Sequence, residues 1–87
     1  MVSQKVVIKN LTGLQLSAAG ALCKQAMQFK SLITFTLKDN TANAKSVLSV
    51  LGACVKCGDE IEFTCEGEDE AEALEALVAA VENGLGE

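Results

Sequence analysis

The chain has no histidine, tryptophan, tyrosine or proline, and three phenylalanines are its only aromatic residues. Without an imidazole, His-based acid–base catalysis, His metal ligation and phosphohistidine chemistry are excluded. With so few rings there is no stacking platform for single-stranded nucleic acid. Positive charge is scarce too: seven basic residues face twelve acidic ones, for a net charge of −5 and a pI near 4.6. Such a surface does not suit phosphate backbones or a polybasic membrane dock. No apolar run approaches the roughly 18 residues of a membrane span. The first residues are polar and strand-like, unlike the basic-then-apolar pattern of a leader, so the cytoplasm is the expected compartment. There Cys23, Cys54, Cys57 and Cys65 are expected to be reduced thiols.

What is present is a small core. Apolar residues make up 49% of the 87 residues, enough for one domain over 1–87 and too little chain for two. Residues 2–9 alternate, with Val6 and Ile8 on one face and Lys5 and Lys9 on the other, as in a half-buried strand. Asn10 to Gly13 carries turn chemistry. From 17 to 29, Ala19, Leu22, Cys23, Ala26 and Phe29 form a helical stripe, with Ser17 as its expected N-cap. Residues 32–38 alternate cleanly, Ile33, Phe35 and Leu37 inward. Asp39 and Asn40 suit a two-residue hairpin into a short strand at 41–44. Ser46 opens a helix of one to two turns that ends at Gly52, followed by a Cys-Val-Lys-Cys-Gly-Asp loop.

Residues 60–66 alternate again, with Ile61, Phe63 and Cys65 inward. Asp69 and Glu72 form a capping pair for a last helix that buries Ala71, Leu74, Leu77, Val78 and Val81 and stops at Asn83-Gly84. Its acidic start favours the helix dipole, and Glu68, Glu70, Glu72 and Glu75 are expected to form a solvated face. The order βαββαβα defines an α+β chain. Polar outer positions imply an antiparallel or mixed sheet with helices on one face. Pattern alone leaves the strand order open, with a ferredoxin-like split βαβ as the generic competitor.

Cys54 and Cys57 make a CxxC pair. Tetrahedral zinc needs two more ligands and there is no His to supply one, while Cys23 and Cys65 sit on apolar faces as small hydrophobes. No metal and no cofactor is therefore expected. A thiol or metal module built on Cys54 and Cys57 stays open as a function of another class.

Three segments in register carry a resemblance: Thr12-Gly13-Leu14-Gln15 leading into a helix, Asn43-Ala44-Lys45-Ser46 opening a short one, and Glu66-Gly67 through Leu74 starting the last. Over essentially the whole chain the sequence resembles HPr, the small phosphocarrier of the bacterial sugar phosphotransferase system. The resemblance implies an open-faced β-sandwich, with a four-stranded antiparallel sheet of order 1-4-2-3 and three helices on one face. In the family a histidine just before the first helix carries the phosphoryl group, in the pattern Gly, aliphatic, His, Ala, Arg, Pro. Here Gly13-Leu14-Gln15-Leu16-Ser17-Ala18 stands there. Gln15 holds the His position and Ser17 the Arg position. An amide is no nucleophile and the bidentate phosphate partner is missing, so no catalytic residue is expected and the chain is not an enzyme.

The Gly-Leu-Gln segment is closest to the catabolite-repression branch of the family, which keeps a regulatory serine. That serine corresponds to Ser46. The resemblance implies phosphorylation there by an HPr serine kinase and binding to a LacI-type transcription regulator, or to phosphotransferase-system components. Leu14, Gln15, Leu16, Ser17, Lys45, Val47, Leu48 and Leu51 would be the partner-binding residues. Of Val47, Leu48 and Leu51, two are expected to pack in the core and one to be partly exposed. Ser49 stands where the branch usually has Gly, and Leu16 where it has Ala. A monomer or weak homodimer is expected. The alternative within the family is a phosphocarrier component of sugar transport with an altered site.

Overall fold

The computed structural model describes residues 1–86. In chain order it holds β1 (Val2–Val7), α1 (Leu16–Ala26), β2 (Leu32–Leu37), β3 (Asn40–Asn43), α2 (Val47–Gly52), β4 (Glu60–Glu66) and α3 (Glu70–Glu82), closed by a 3₁₀ turn at Gly84–Gly86. The sheet order is β1-β4-β2-β3, and every pairing is antiparallel. The three helices cover one face. This is the open-faced architecture that the resemblance implied.

Period-two alternation turns one row of side chains toward the helices. Val6 on β1, Ile33 and Phe35 on β2, and Ile61, Phe63 and Cys65 on β4 are buried. Phe35 lies opposite Phe63 in register, and their rings meet edge to face at 6.0 Å. Leu22, Ala18, Ala19 and Ala26 of α1 and Ala73, Leu77, Val78 and Val81 of α3 close the core from above. The other sheet face carries Lys5, Glu60, Glu62, Thr34, Thr36 and Thr64.

Several local expectations shift. The hairpin turn is Lys38-Asp39, because Leu37 pairs with Asn40, and Lys38 takes the positive φ of 56°. α1 ends at Ala26, and Phe29 lies beyond it, half-buried. In α3, Ala71 is exposed and Ala73 takes its place in the core; the alanine-rich helix is rotated from the expected stripe. Leu74 is only half-buried. Leu85, past the expected stop, folds back into the core in a left-handed conformation (φ 53°).

The expected Asp69–Glu72 capping pair does not form. Asp69 holds the N-cap position of α3, but its side chain makes no cap bond. Its carboxylate accepts instead from Lys30 N–H at 2.9 Å, from Ser31 N–H at 3.0 Å and from Ser31 Oγ. This clasp ties the start of α3 to the entry of β2. Gly67 passes so close that a Cβ on it would lie 2.7 Å from Ser31 Cα, at a φ of +153° that disfavours any other residue. Glu70 serves the helix start: its Oε1 accepts from Gly67 N–H at 3.1 Å, and its Oε2 pairs with the Met1 amine at 2.9 Å.

The Ser31 hydroxyl, then the Lys30 N–H, hold the Asp69 carboxyl below its ordinary value of 3.8. A lowered folded-state value means that this stabilisation is fully present above that ordinary value and fades as pH falls through the folded one. Urea titrations of the wild type should therefore show stability falling as pH drops below about 4. Asp69→Asn should be less stable at neutral pH and show a shallower decline in acid. An unchanged acid slope in that variant would assign the loss to other carboxylates.

Candidate functional site

The site is assembled by two loops zipped together. Ile8 N–H donates to the Asp59 carbonyl at 2.9 Å, Gly58 N–H to the Ile8 carbonyl at 2.8 Å, and Leu14 N–H to the Val55 carbonyl at 3.0 Å. Gly13 is the closest point. A Cβ there would lie 2.3 Å from the Val55 oxygen and 2.9 Å from Lys56 Cα, and its φ is +66°. Only glycine meets both demands. The Asn10 amide closes the turn by donating to the Gly13 carbonyl at 2.6 Å and to Thr12 Oγ1 at 3.3 Å.

This clamp decides where α1 begins. Leu14 is driven fully into the core, so it is not a surface contact as expected, and Gln15 emerges beside it, exposed. Gln15 is the N-cap residue of α1: its backbone is extended, and its carbonyl accepts from Ala18 N–H at 3.0 Å. The Gln15 side chain makes no cap bond. Ser17 is thus not the cap but an exposed residue of the first turn. Leu16, between them, is 83% exposed with a left-handed φ of 44°. For a bulky L-residue that conformation stores about 1–3 kcal/mol of strain.

The second loop, 43–46, is ordered by its own side chains. The Asn43 carbonyl accepts from Ser46 N–H at 3.1 Å, and Asn43 Oδ1 accepts from Lys45 N–H at 2.9 Å. Ser46 caps α2, its Oγ accepting from Ser49 N–H at 3.2 Å. Ser49 reaches back, its Oγ accepting from Asn43 N–H at 2.9 Å. Lys45 fastens this loop to α1 and to the turn after it: Cys23 Sγ of α1 donates to the Lys45 carbonyl at 3.1 Å, and Lys45 Nζ donates to the Phe29 carbonyl beyond α1 at 2.6 Å. Lys45 is therefore half-buried, not a free surface charge.

α1 and α2 lie side by side and present an apolar surface. Leu48 is 82% exposed and Val47 40%. Of the three α2 residues of which two were expected in the core, only Leu51 packs against it, in part. Val50, four residues after the cap, is the buried one. The structure thus leaves Gln15, Leu16, Ser17, Val47 and Leu48 open to solvent, with Lys45 and Leu51 partly covered and Leu14 inside.

Cys54 and Cys57 are exposed free thiols, the first at a φ of 55°, the second weakly donating to the Lys9 carbonyl at 3.6 Å. Among the described residues no three His, Cys, Asp or Glu side chains gather as a metal cluster. Burial pushes the Cys65 thiol up, helped by the negative charges of Asp69 and Glu70. Sequence reasoning missed the buried Val55 and the bond from Cys23. The available signal was Gly13 itself, since a glycine beside a helix start marks close backbone approach.

Two zipped loops thus set the start of α1 beside the short capped helix α2, over a four-stranded antiparallel sheet. The family model described as "PTS HPr component phosphorylation site" matches residues 2–83, and the chain belongs to the HPr family of the phosphotransferase system. It is 38% identical over 82 residues to the HPr-like protein Crh of Bacillus subtilis, covering 94% of this chain and 96% of that one. Among solved structures, HPr-C-His from Thermoanaerobacter tengcongensis superposes with a TM-score of 0.97 at 34% identity, covering 100% of this chain and 98% of that one. A Bacillus subtilis Crh structure, described as a swapped dimer, gives 0.78 at 37% identity with 95% coverage of both.

Two substitutions test the geometry. Gly13→Ala should cost about 2–4 kcal/mol in urea unfolding, since it combines a backbone collision with an unfavourable φ. Ser46→Ala should cost only about 1 kcal/mol, the worth of one N-cap. A Gly13→Ala loss as small as that of Ser46→Ala would refute the close approach.

Proposed function

We propose that residues 1–87 act as a single HPr-like domain in the cytoplasm, as a regulatory adaptor of the phosphotransferase system and not as a group-transfer carrier. The observation that carries this reading is Gln15 at the N-cap of α1, exposed where the family motif places its histidine. Its amide cannot attack a phosphoryl donor or hold a transferable P–N bond. The site keeps its shape and loses its nucleophile, so recognition is what remains.

Ser46 is the control point in this reading. Its hydroxyl oxygen already faces the Ser49 N–H, so a phosphate there would bring more acceptor oxygens to a donor in place. The added charge would stand next to exposed Val47 and Leu48, which with Gln15, Leu16 and Ser17 form the docking face; Lys45 and Leu51 border it. The partners are an HPr serine kinase and a LacI-type transcription regulator, or phosphotransferase-system components, and the similarity to Crh supports the catabolite-repression branch. The protein works as a monomer or a weak homodimer; the swapped Crh dimer supports the second.

Phosphoenolpyruvate with the system's upstream phosphotransferase should leave the wild type unlabelled, whereas an HPr serine kinase with ATP should add about 80 Da at Ser46 and nothing to Ser46→Ala. Acid-labile labelling of the wild type would overturn the adaptor reading in favour of a phosphocarrier with an altered site. Gln15→His should restore labelling only if the rest of the site is intact, and its failure would point to Ser17 and Ala18.

A further inference from the structure

A second surface lies on the far side of the molecule from the α2 cap. The strand β1 is an edge strand: it pairs with β4, and among the described residues it has no strand on its other side. α3 overhangs that open edge. Between them runs a groove of about 400 Å³, lined by Val2 and Gln4 of β1 and by Ala71, Leu74, Val78 and Glu82 of α3. Val2 and Gln4 are in phase with buried Val6, so they belong to the row of β1 that faces the helices. The apolar layer between sheet and helices therefore continues past the last strand and ends at an open flank.

The groove runs beside the free edge of β1. A segment added alongside β1 would take up its free backbone groups, and every second side chain would point under α3 against Leu74 and Val78. The lip is negative. α3 carries Glu70, Glu72, Glu75 and Glu82 and no Lys or Arg, and Glu75 also borders the groove. The Met1 amine pairs with Glu70, while among the described residues neither Glu75 nor Glu82 has a salt-bridge partner. Lys5, the cation of β1, is out of phase with Val2 and Gln4 and lies on the opposite sheet face.

We propose that the β1–α3 groove is a second docking site, distinct from the α1–α2 face, which takes an extended segment of a partner protein whose α3-facing positions carry both apolar and basic residues. Backbone pairing to β1 supplies affinity. Of the alternate side chains that face α3, apolar ones meet Leu74 and Val78, and lysine or arginine ones meet Glu75 and Glu82. A second copy of this chain is a poor occupant, because two molecules of charge −5 would meet along their most acidic helices. The proposal does not depend on the fate of Gln15 or Ser46.

The test uses the full chain labelled for NMR and an eight-residue peptide, Lys-Thr-Val-Thr-Val-Thr-Lys-Thr, whose one face carries both the valines and the lysines. Saturable shifts should appear at the Val2–Val7 amides and the Leu74 and Val78 methyls, and not at Leu16 or Leu48. The Glu75→Lys, Glu82→Lys double variant, altered only at exposed positions, should weaken binding about tenfold or more. A peptide with N-methyl groups on its β1-facing amides should lose binding while keeping its charge. Equal binding by the N-methyl peptide would reduce the effect to general charge attraction and overturn the proposal. Shifts confined to the α1–α2 face, concentration-dependent self-association in place of peptide binding, or no saturation at millimolar peptide would also overturn it.

Discussion

The contact between Gly13 and the Val55 carbonyl is the constraint from which the rest of the site follows. It allows the Leu14 N–H to bond at 3.0 Å, which pulls Leu14 into the core and leaves Gln15 as the first residue able to turn outward. Because the Val55 loop leaves α2, the same contact fixes α1 relative to α2. Lys45 and Cys23 then fasten the opposite ends of the two helices together. A residue with a Cβ at position 13 would push these loops apart and change where α1 starts, not just the local turn.

That scaffold is set independently of the side chain it presents at position 15. The open helix start, the strained Leu16 and the capped α2 are backbone features set by packing beneath the surface. None depends on the side chain at position 15. A glutamine therefore sits on the scaffold without disturbing it, and selection can act on the exposed side chains alone. Leu16 and Leu48, two large apolar residues more than four-fifths exposed, are what the proposed docking role accounts for on this surface.

Much of this was visible in the chain before any coordinates, and the reasons are physical. β4 was legible because its two faces meet different media, so Ile61, Phe63 and Cys65 alternate with charged and hydroxyl residues. The strand order came only through family resemblance, since pattern does not encode which strands are neighbours. Ser17 looked like a helix cap on local grounds, but the tertiary pull on Leu14 moved the start of α1 two residues earlier. In α3 the abundance of alanine blurred the stripe, and Ala73 went inside where Ala71 was expected. Leu14, expected at the surface, and Leu85, past the expected end of α3, lie outside the periodic segments, and only the folded chain brings the core to them. The Asp69 carboxylate offers the same lesson for polar groups, since it is drawn to Ser31, a distant residue in sequence, and not to its own helix.

The four thiols form a graded set of chemical clocks. Cys54 and Cys57 are open to reagents at once, Cys23 is half-covered and spends its proton on the Lys45 carbonyl, and Cys65 is buried with its ionisation suppressed. Alkylation of the first pair reports the bare surface, that of Cys23 reports the parting of α1 from the 43–46 loop, and that of Cys65 waits for the sheet itself to open. One unmodified molecule thus carries the means to time its outer, intermediate and innermost motions separately.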